Sequence, residues 1–303
     1  MKRHLMILLA ITALCLLSAC GAKEAPPEES TSAPNLSEET PPPPPEVPEV
    51  IHYTVSNSTR EETVCTSEGV TLFTSRISLP VLSAYRADGS LITEGETEKE
   101  TAALAAVQTF NEKFTDWTDE SDFDGEDFAE IAAADYAWRI QEGIDWVGNY
   151  ATDLDCTVYQ TERIISVSGL YYSFTGGAHP NSVYLSWNFD LENGTFFGPE
   201  LLGGAELQTA VTEELKRQCE IKAEESGLVP GELLWQDYET ILADWQSYAI
   251  TFDETGMTVT YSPYELAAYA AGAQIFQIPY AFLEPYLSTQ GLAILGLADE
   301  PGA

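Results

Sequence analysis

Positive charge is scarce in this chain. Thirteen Lys and Arg residues stand against 49 Asp and Glu, for a formal net charge of −36. No basic stripe is present to neutralise phosphates, which excludes nucleic-acid binding. Histidine is scarcer still: His4, His52 and His179 are the whole supply. A zinc centre commonly draws on several His or Cys ligands, and here it would have to combine His179 with cysteines far apart in the chain. Ser-His-Asp chemistry would also depend on His179, yet no Gly-x-Ser-x-Gly elbow is present. Neither glycine-rich phosphate-binding motif occurs. The sequence therefore implies no cofactor. The longest apolar run, Leu5 to Leu17, has 13 residues, fewer than the roughly 20 that a helix needs to span a bilayer. The 49 acids offer countless carboxylate pairs, so pairing alone marks no glycosidase site. The chain reads as a non-enzymatic protein, with an enzyme acting on cell-wall glycan as an alternative.

At the N-terminus Lys2, Arg3 and His4 precede that apolar run, which ends in Leu17-Ser18-Ala19-Cys20. A basic start, a short apolar segment and small residues form a secretory signal peptide, here residues 1–19. Its end resembles the lipobox of bacterial lipoproteins. The resemblance implies that Cys20 becomes a lipid-bearing first residue, palmitate-type acylation included, and that the protein faces outward from the cell membrane. Without residues 1–19 the chain keeps 11 basic and 49 acidic side chains, a formal charge of −38. Such a surface repels anionic polymers and steers basic partners toward itself. Residues 20–50 are rich in Pro and Glu, with Pro41 to Pro45 unbroken. Such a segment buries too little apolar surface to fold. The proline run favours a stiff rod of about 3.1 Å per residue, a tether for the folded part.

Beyond the tether, residues 51–95 predict strands, with Asp88-Gly89 marking a turn. Thr97-x-x-Glu100 is a capping box. After it Ala102, Ala105, Ala106, Thr109, Phe110, Phe114 and Trp117 follow helical spacing. A second helix is expected over Glu126 to Glu142, with Phe128, Ala132, Tyr136 and Ile140 on one face. From Cys156 the pattern returns to strands. Val158 to Phe174 form a long strand or hairpin, and Val183, Leu185, Trp187 and Phe189 alternate on one side of another. Asn193-Gly194 is a hairpin turn. A helix over about 205–224 precedes strands near 248–252, 257–261 and 275–278, and Pro279 opens a last helix over 280–287. Grouped strands and grouped helices predict an α+β fold. It would have a central antiparallel sheet, packed helices and two closely associated subdomains, 51–155 and 156–290, followed by a tail, 291–303.

Three features bear on sites. Cys65, Cys156 and Cys219 follow Cys20, and an extracytoplasmic location permits a disulfide. Val211, Leu215 and Cys219 share a helix face, which buries Cys219. If any pair bridges, it is Cys65 with Cys156. Glu120-x-Asp122-x-Asp124-Gly125 approaches a calcium-loop start. Glu120 replaces the first Asp, however, and Ile131 stands where a bidentate Glu belongs, so a solvated acidic loop is the competing reading. The loop Gly176-Gly177-Ala178-His179-Pro180-Asn181 pairs two glycines, which tolerate positive φ, with two polar edges. It reads either as a tight inter-strand connection, His179 bonding nearby backbone, or as a ligand-binding edge.

Tyr171 through Asn181 resembles the signature of an extracytoplasmic domain family found in RsiV-type anti-sigma factors and beside the catalytic domain of PdaC-type peptidoglycan deacetylases. Asn188 to Gly194, Gly198 to Leu202, and Phe252, Gly256-Met257, Tyr261, Pro263-Tyr264, Ala270, Gly272 and Phe276 to Tyr280 resemble its later blocks. The resemblance covers about residues 51–290. It implies an α+β binding domain, since RsiV-type outer domains bind lysozyme, a basic wall-attacking enzyme. Gly176, Gly177, His179, Asn181 and Tyr264 become the ligand-binding candidates. RsiV-type proteins also carry a sigma-binding segment and a spanning helix; this sequence shows neither, so signalling is not implied. The expected partner is lysozyme or another basic protein, with peptidoglycan the alternative, and the membrane is reached through the lipid anchor.

Overall fold

The computed structural model describes residues 50–120, 128–146, 148, 150–245 and 247–298. Cys20 and the acidic pair Asp122 and Asp124 lie outside these residues, as do the side chains of Trp117 and Glu120. The chain opens with a long hairpin, β1 (Ile51–Cys65) and β2 (Thr71–Arg86). Two helices follow, α1 (Glu98–Glu120) and α2 (Phe128–Glu142). Then come β3 (Tyr150–Gln160), β4 (Ile164–Phe174), β5 (Asn181–Asp190) and β6 (Thr195–Phe197). These six strands form one sheet in sequence order. The second half consists of α3 (Ala205–Glu225), the short helices α4 (Pro230–Leu233) and α5 (Tyr238–Leu242), strands β7 (Ala249–Phe252), β8 (Gly256–Tyr261) and β9 (Gln274–Pro279), then α6 (Tyr280–Leu283) and α7 (Thr289–Leu295). Strands β7, β8 and β9 make a separate antiparallel sheet. This is the expected α+β fold. The boundary drawn between residues 155 and 156 falls inside β3, whose residues on both sides pair with β4. One junction, β2 with β3, is parallel. The chain reaches β3 through α1 and α2, and a crossover of that length can return a strand in the same direction.

At the start of α1 the Thr97 hydroxyl accepts from Glu100 N (3.1 Å), while the Glu100 carboxylate accepts from Glu96 N (2.8 Å) and pairs with Arg86. The Arg86 hydrogen bond holds the buried Glu100 carboxyl below its ordinary range. The buried stripe of α1 is Ala103, Ala106, Phe110 and Phe114; Ala102, Ala105 and Thr109 are exposed, one step around from the expected face. In α2, Ala132 is buried but Ile140 is 56% exposed, so the apolar face ends a turn earlier than the spacing predicts. Phe110 and Phe114 pack on Phe189, Trp187 and Phe196, with ring centroids 5.2–6.4 Å apart. Val183, Leu185, Trp187 and Phe189 share this cluster, as their alternation requires.

On the opposite face of β4 and β5, polar side chains are buried where β7 approaches. Ser166 and Asn188 lie against β7, the edge strand of the small sheet. In an antiparallel pair, alternate residues turn their N–H and C=O away from the neighbour. Three of those on Ile250 and Phe252 are met by side chains. Ile250 N donates to Ser186 Oγ (2.9 Å), Asn188 Nδ2 donates to Ile250 O (2.9 Å), and Phe252 N donates to Ser166 Oγ (2.8 Å). The Ser166 hydroxyl in turn donates to Asn188 Oδ1 (2.7 Å). At the other edge of this sheet, Gln218 Nε2 and Lys222 Nζ from α3 donate to the carbonyls of Gln277 (2.9 Å) and Ile275 (3.1 Å).

Helix α3 buries Leu207, Val211, Leu215, Cys219 and Ala223, spaced by four, in a core with Val259, Phe276 and Ile278. Burial pushes the Cys219 and Cys156 thiols up to about 12. Cys65, Cys156 and Cys219 are all free, so the pairing proposed for Cys65 and Cys156 is corrected. Cys65 sits opposite Thr71 at the far end of the hairpin, whereas Cys156 lies two residues past Leu154, which is level with Ile77. At about 3.3 Å per residue the two are more than 20 Å apart along the strands. The expected helix over 280–287 stops at Leu283 and tightens to a 3-10 turn over Glu284–Tyr286, because Pro285 has no N–H to continue it.

Removing the Asn188 side chain strands Ile250 O and the Ser166 hydroxyl in a buried site. Asn188→Ala is expected to cost about 1–3 kcal/mol, lowering Tm by several degrees in a calorimetric scan. A shift within error would show that water replaces the amide at no cost.

Candidate functional site

The site starts from a turn. Ser262-Pro263-Tyr264-Glu265 closes with Glu265 N donating to Ser262 O (3.0 Å). Pro263 fixes φ at its position, and Tyr264 follows at φ 75°, the one described non-glycine residue with positive φ. That is the arrangement of a type II turn, whose third position is normally Gly or Asn. A tyrosine there carries a steric cost of about 1–2 kcal/mol that glycine would not. Three hydrogen bonds and one buried side chain pin the turn. Ser262 Oγ accepts from Tyr184 N of β5 (3.0 Å), Trp235 Nε1 donates to Tyr264 O (2.9 Å), Trp235 N donates to Leu266 O (3.0 Å), and Leu266 is fully buried. The Glu265 carboxylate accepts from Ser262 N. Glu265 is exposed as a residue, yet partial desolvation pushes its carboxyl up against the pull of that hydrogen bond.

The strained tyrosine is 52% exposed and meets His179, 85 residues away in sequence. His179 Nδ1 lies 3.0 Å from Pro180 O, and Nε2 lies 3.1 Å from the Tyr264 hydroxyl. A carbonyl only accepts, so Nδ1 carries the proton; in the neutral ring Nε2 then accepts from Tyr264 O–H. Tyr269 stacks on the imidazole at 3.8 Å and 17° and lies 5.4 Å from the Tyr264 ring. Three rings thus form a surface platform. The bond to Pro180 O is the local backbone contact expected for His179. The contact with Tyr264 gives the same ring a place in a site.

The remaining candidates have supporting positions. Gly176 holds φ 78°, and a Cβ there would stand 3.0 Å from the Tyr150 ring. A Cβ at Gly177 would make only an ordinary contact, 3.8 Å from His179 O, and Asn181 opens β5 opposite Ser173. Tyr269 and Trp235 were missed. Trp235 lies in a segment without clear periodicity; Tyr269 sits in the Pro263 to Gly272 loop, where the recurrence of tyrosine at 261, 264 and 269 was the available signal. Among the described residues no three His, Cys, Asp or Glu side chains gather into a metal site. No described helix is long and apolar enough to cross a membrane.

Strand β6 through the start of α6 encloses Trp235, Tyr264 and Tyr269, and this stretch has counterparts elsewhere. Residues 196–281 match DUF3298, described as a protein of unknown function. The DUF3298 match thus covers the platform's tyrosines but not His179. A crystal structure of a DUF3298 family member from Bacteroides fragilis NCTC 9343 has the same fold, with a TM-score of 0.54 at 15% identity over 81% of this chain and 97% of that one. A DUF3298 family protein from Pseudomonas aeruginosa PAO1 aligns over 79% of this chain and 96% of that one, at 13% identity and a TM-score of 0.48. No curated protein matches the chain.

The turn makes a stability prediction. Tyr264→Gly removes the Cβ that φ 75° penalises, while Tyr264→Ala keeps the Cβ and loses the same ring. The glycine variant is expected to be about 1 kcal/mol more stable than the alanine variant, read as the difference between their urea midpoints. Equal midpoints would mean that the turn holds no strain.

Proposed function

We propose that this chain is a lipid-anchored, non-enzymatic binding protein displayed outside the cell membrane, whose acidic domain takes a basic protein partner through the Tyr264 platform. A lysozyme-like cell-wall enzyme is the named candidate. The observation that carries the reading is a tyrosine kept exposed at a turn position that favours glycine. Strain of this kind persists only where the surroundings over-determine it, and it clusters at ligand contacts. Tyrosine is also among the residues most often found as binding anchors, since it offers a large rigid surface at small entropic cost. The net charge of −36 supports a basic partner, because opposite charge speeds encounter. The resemblance to RsiV-type outer domains points the same way. The same charge disfavours anionic wall polymers, which leaves peptidoglycan association as the second reading.

Hen egg-white lysozyme is expected to bind the full chain at low ionic strength, more weakly as salt rises. Tyr264→Gly should weaken the affinity about thirtyfold, the loss typical of an anchor worth about 2 kcal/mol. No detectable binding at low salt would sink the lysozyme version; unchanged binding by the variant would move the contact elsewhere. Anchoring is tested separately. Cells fed an alkyne-tagged palmitate should label the protein, and Cys20→Ala should abolish the label. Equal labelling of the variant would remove Cys20 as the lipid site.

A further inference from the structure

Helix α3 has a second, largely exposed face. Ala205, Thr209 and Ala210 leave a shallow depression beside its buried stripe. Phe282 and Tyr286 form the facing wall, their ring centroids 5.8 Å apart. Between them runs an open groove of about 640 Å³. Its floor is small and apolar, and Tyr286 is 39% exposed above it.

The rim is acidic. Glu214 is engaged by Arg217 (2.6 and 2.7 Å), and Glu213 shares Lys216 with Glu239, both at 3.2 Å. Glu206 lines the groove, is exposed, and has no ion pair among the described residues. A mostly apolar floor beside the two rings, bordered by the uncompensated Glu206 carboxylate and by Arg217 held on Glu214, disfavours an acidic segment. It suits an apolar side chain flanked by a cation, which both the carboxylate and the ring faces attract.

We propose that the groove between α3 and α6 docks a basic peptide segment, an apolar anchor side chain resting against Phe282 and Tyr286 and a lysine or arginine lying beside Glu206. The mode is insertion of an anchor into an apolar groove, and the chain's overall charge raises the local concentration of such segments. The groove uses none of the residues of the Tyr264 platform, so the two surfaces stand or fall separately.

The probe is a fluorescein-labelled pool of hexapeptides with lysine or arginine at the outer positions and leucine, phenylalanine or tryptophan at the centre. Its anisotropy is titrated with the full chain at about 0.15 M salt, where exposed charges are screened beyond about 8 Å. Saturable binding is expected, weakened at least about tenfold by Ala210→Trp, which fills the floor, and by Glu206→Lys, which reverses the rim. Should Ala210→Trp fail to fold, Glu206→Lys, on an exposed helix position, decides alone. The proposal is overturned by absence of binding to the wild type, by equal binding of a pool carrying glutamate in place of lysine and arginine, or by groove variants that bind as the wild type does.

Discussion

Everything in the second half of the fold depends on how one short strand meets the large sheet. Strand β7 has only β8 as a ladder partner, and its other edge is pressed against β4 and β5. Buried backbone groups without partners cost about 1–3 kcal/mol each, so that edge needs donors and acceptors. Ser166, Ser186 and Asn188 supply them. The serine hydroxyl of Ser166 accepts from Phe252 N and donates to Asn188, so one small side chain closes two requirements at once. A buried hydrogen-bonded set of this kind also fixes register. Sliding β7 by one residue would turn Ile250 and Phe252 to the other edge and leave the three side chains facing nothing.

The same device recurs at other strand edges. Strand β2 pairs with β3 only from Phe73 to Ile77, and farther along the Asn111 side chain bonds both N and O of Leu82 (2.8 and 3.0 Å). Gln160 reaches Tyr53 O on β1, and Gln218 and Lys222 cover β9. Exposed strand edges invite pairing with other chains. Here several of them are closed by amides, hydroxyls and one lysine from adjacent elements, which permits two sheets of different direction to share one molecule.

This explains what was legible in the sequence. Apolar periodicity located α1, α3 and the alternating face of β5, because burial of Phe110, Leu215 or Phe189 depends on spacing alone. Periodicity could not disclose that the other face of β5 is buried too. Ser186 and Asn188 look like solvent-facing residues in an alternating strand, and only the approach of β7 reverses that meaning. The start of β3 was missed for a related reason: Tyr150, Thr152 and Leu154 alternate inward, but Asp153 and Asp155 between them mask the pattern. In the site, His179 and Tyr264 were readable through their motifs. Their contact across 85 residues was not, nor was the stacking of Tyr269, which depends on a turn whose shape the tyrosine itself disguises.

Fold and site share a residue. Ser262 accepts from Tyr184 N and so ties the small sheet to β5; it is also the first position of the turn that presents Tyr264. Beyond it, Leu266 is fully buried and Trp235 bonds the backbone at both Tyr264 and Leu266. A turn fixed at its start, its middle and its far side can hold a tyrosine at positive φ that a loose loop would relax. The strain is thus maintained by the bonds of Ser262 and Trp235 and by the burial of Leu266 rather than by the rings on the platform, which are mostly exposed. A side chain held in this way pays little additional conformational entropy when a partner covers it. The bond between Ser262 and β5 and the two bonds of Trp235 therefore keep the strained Tyr264 ready for contact.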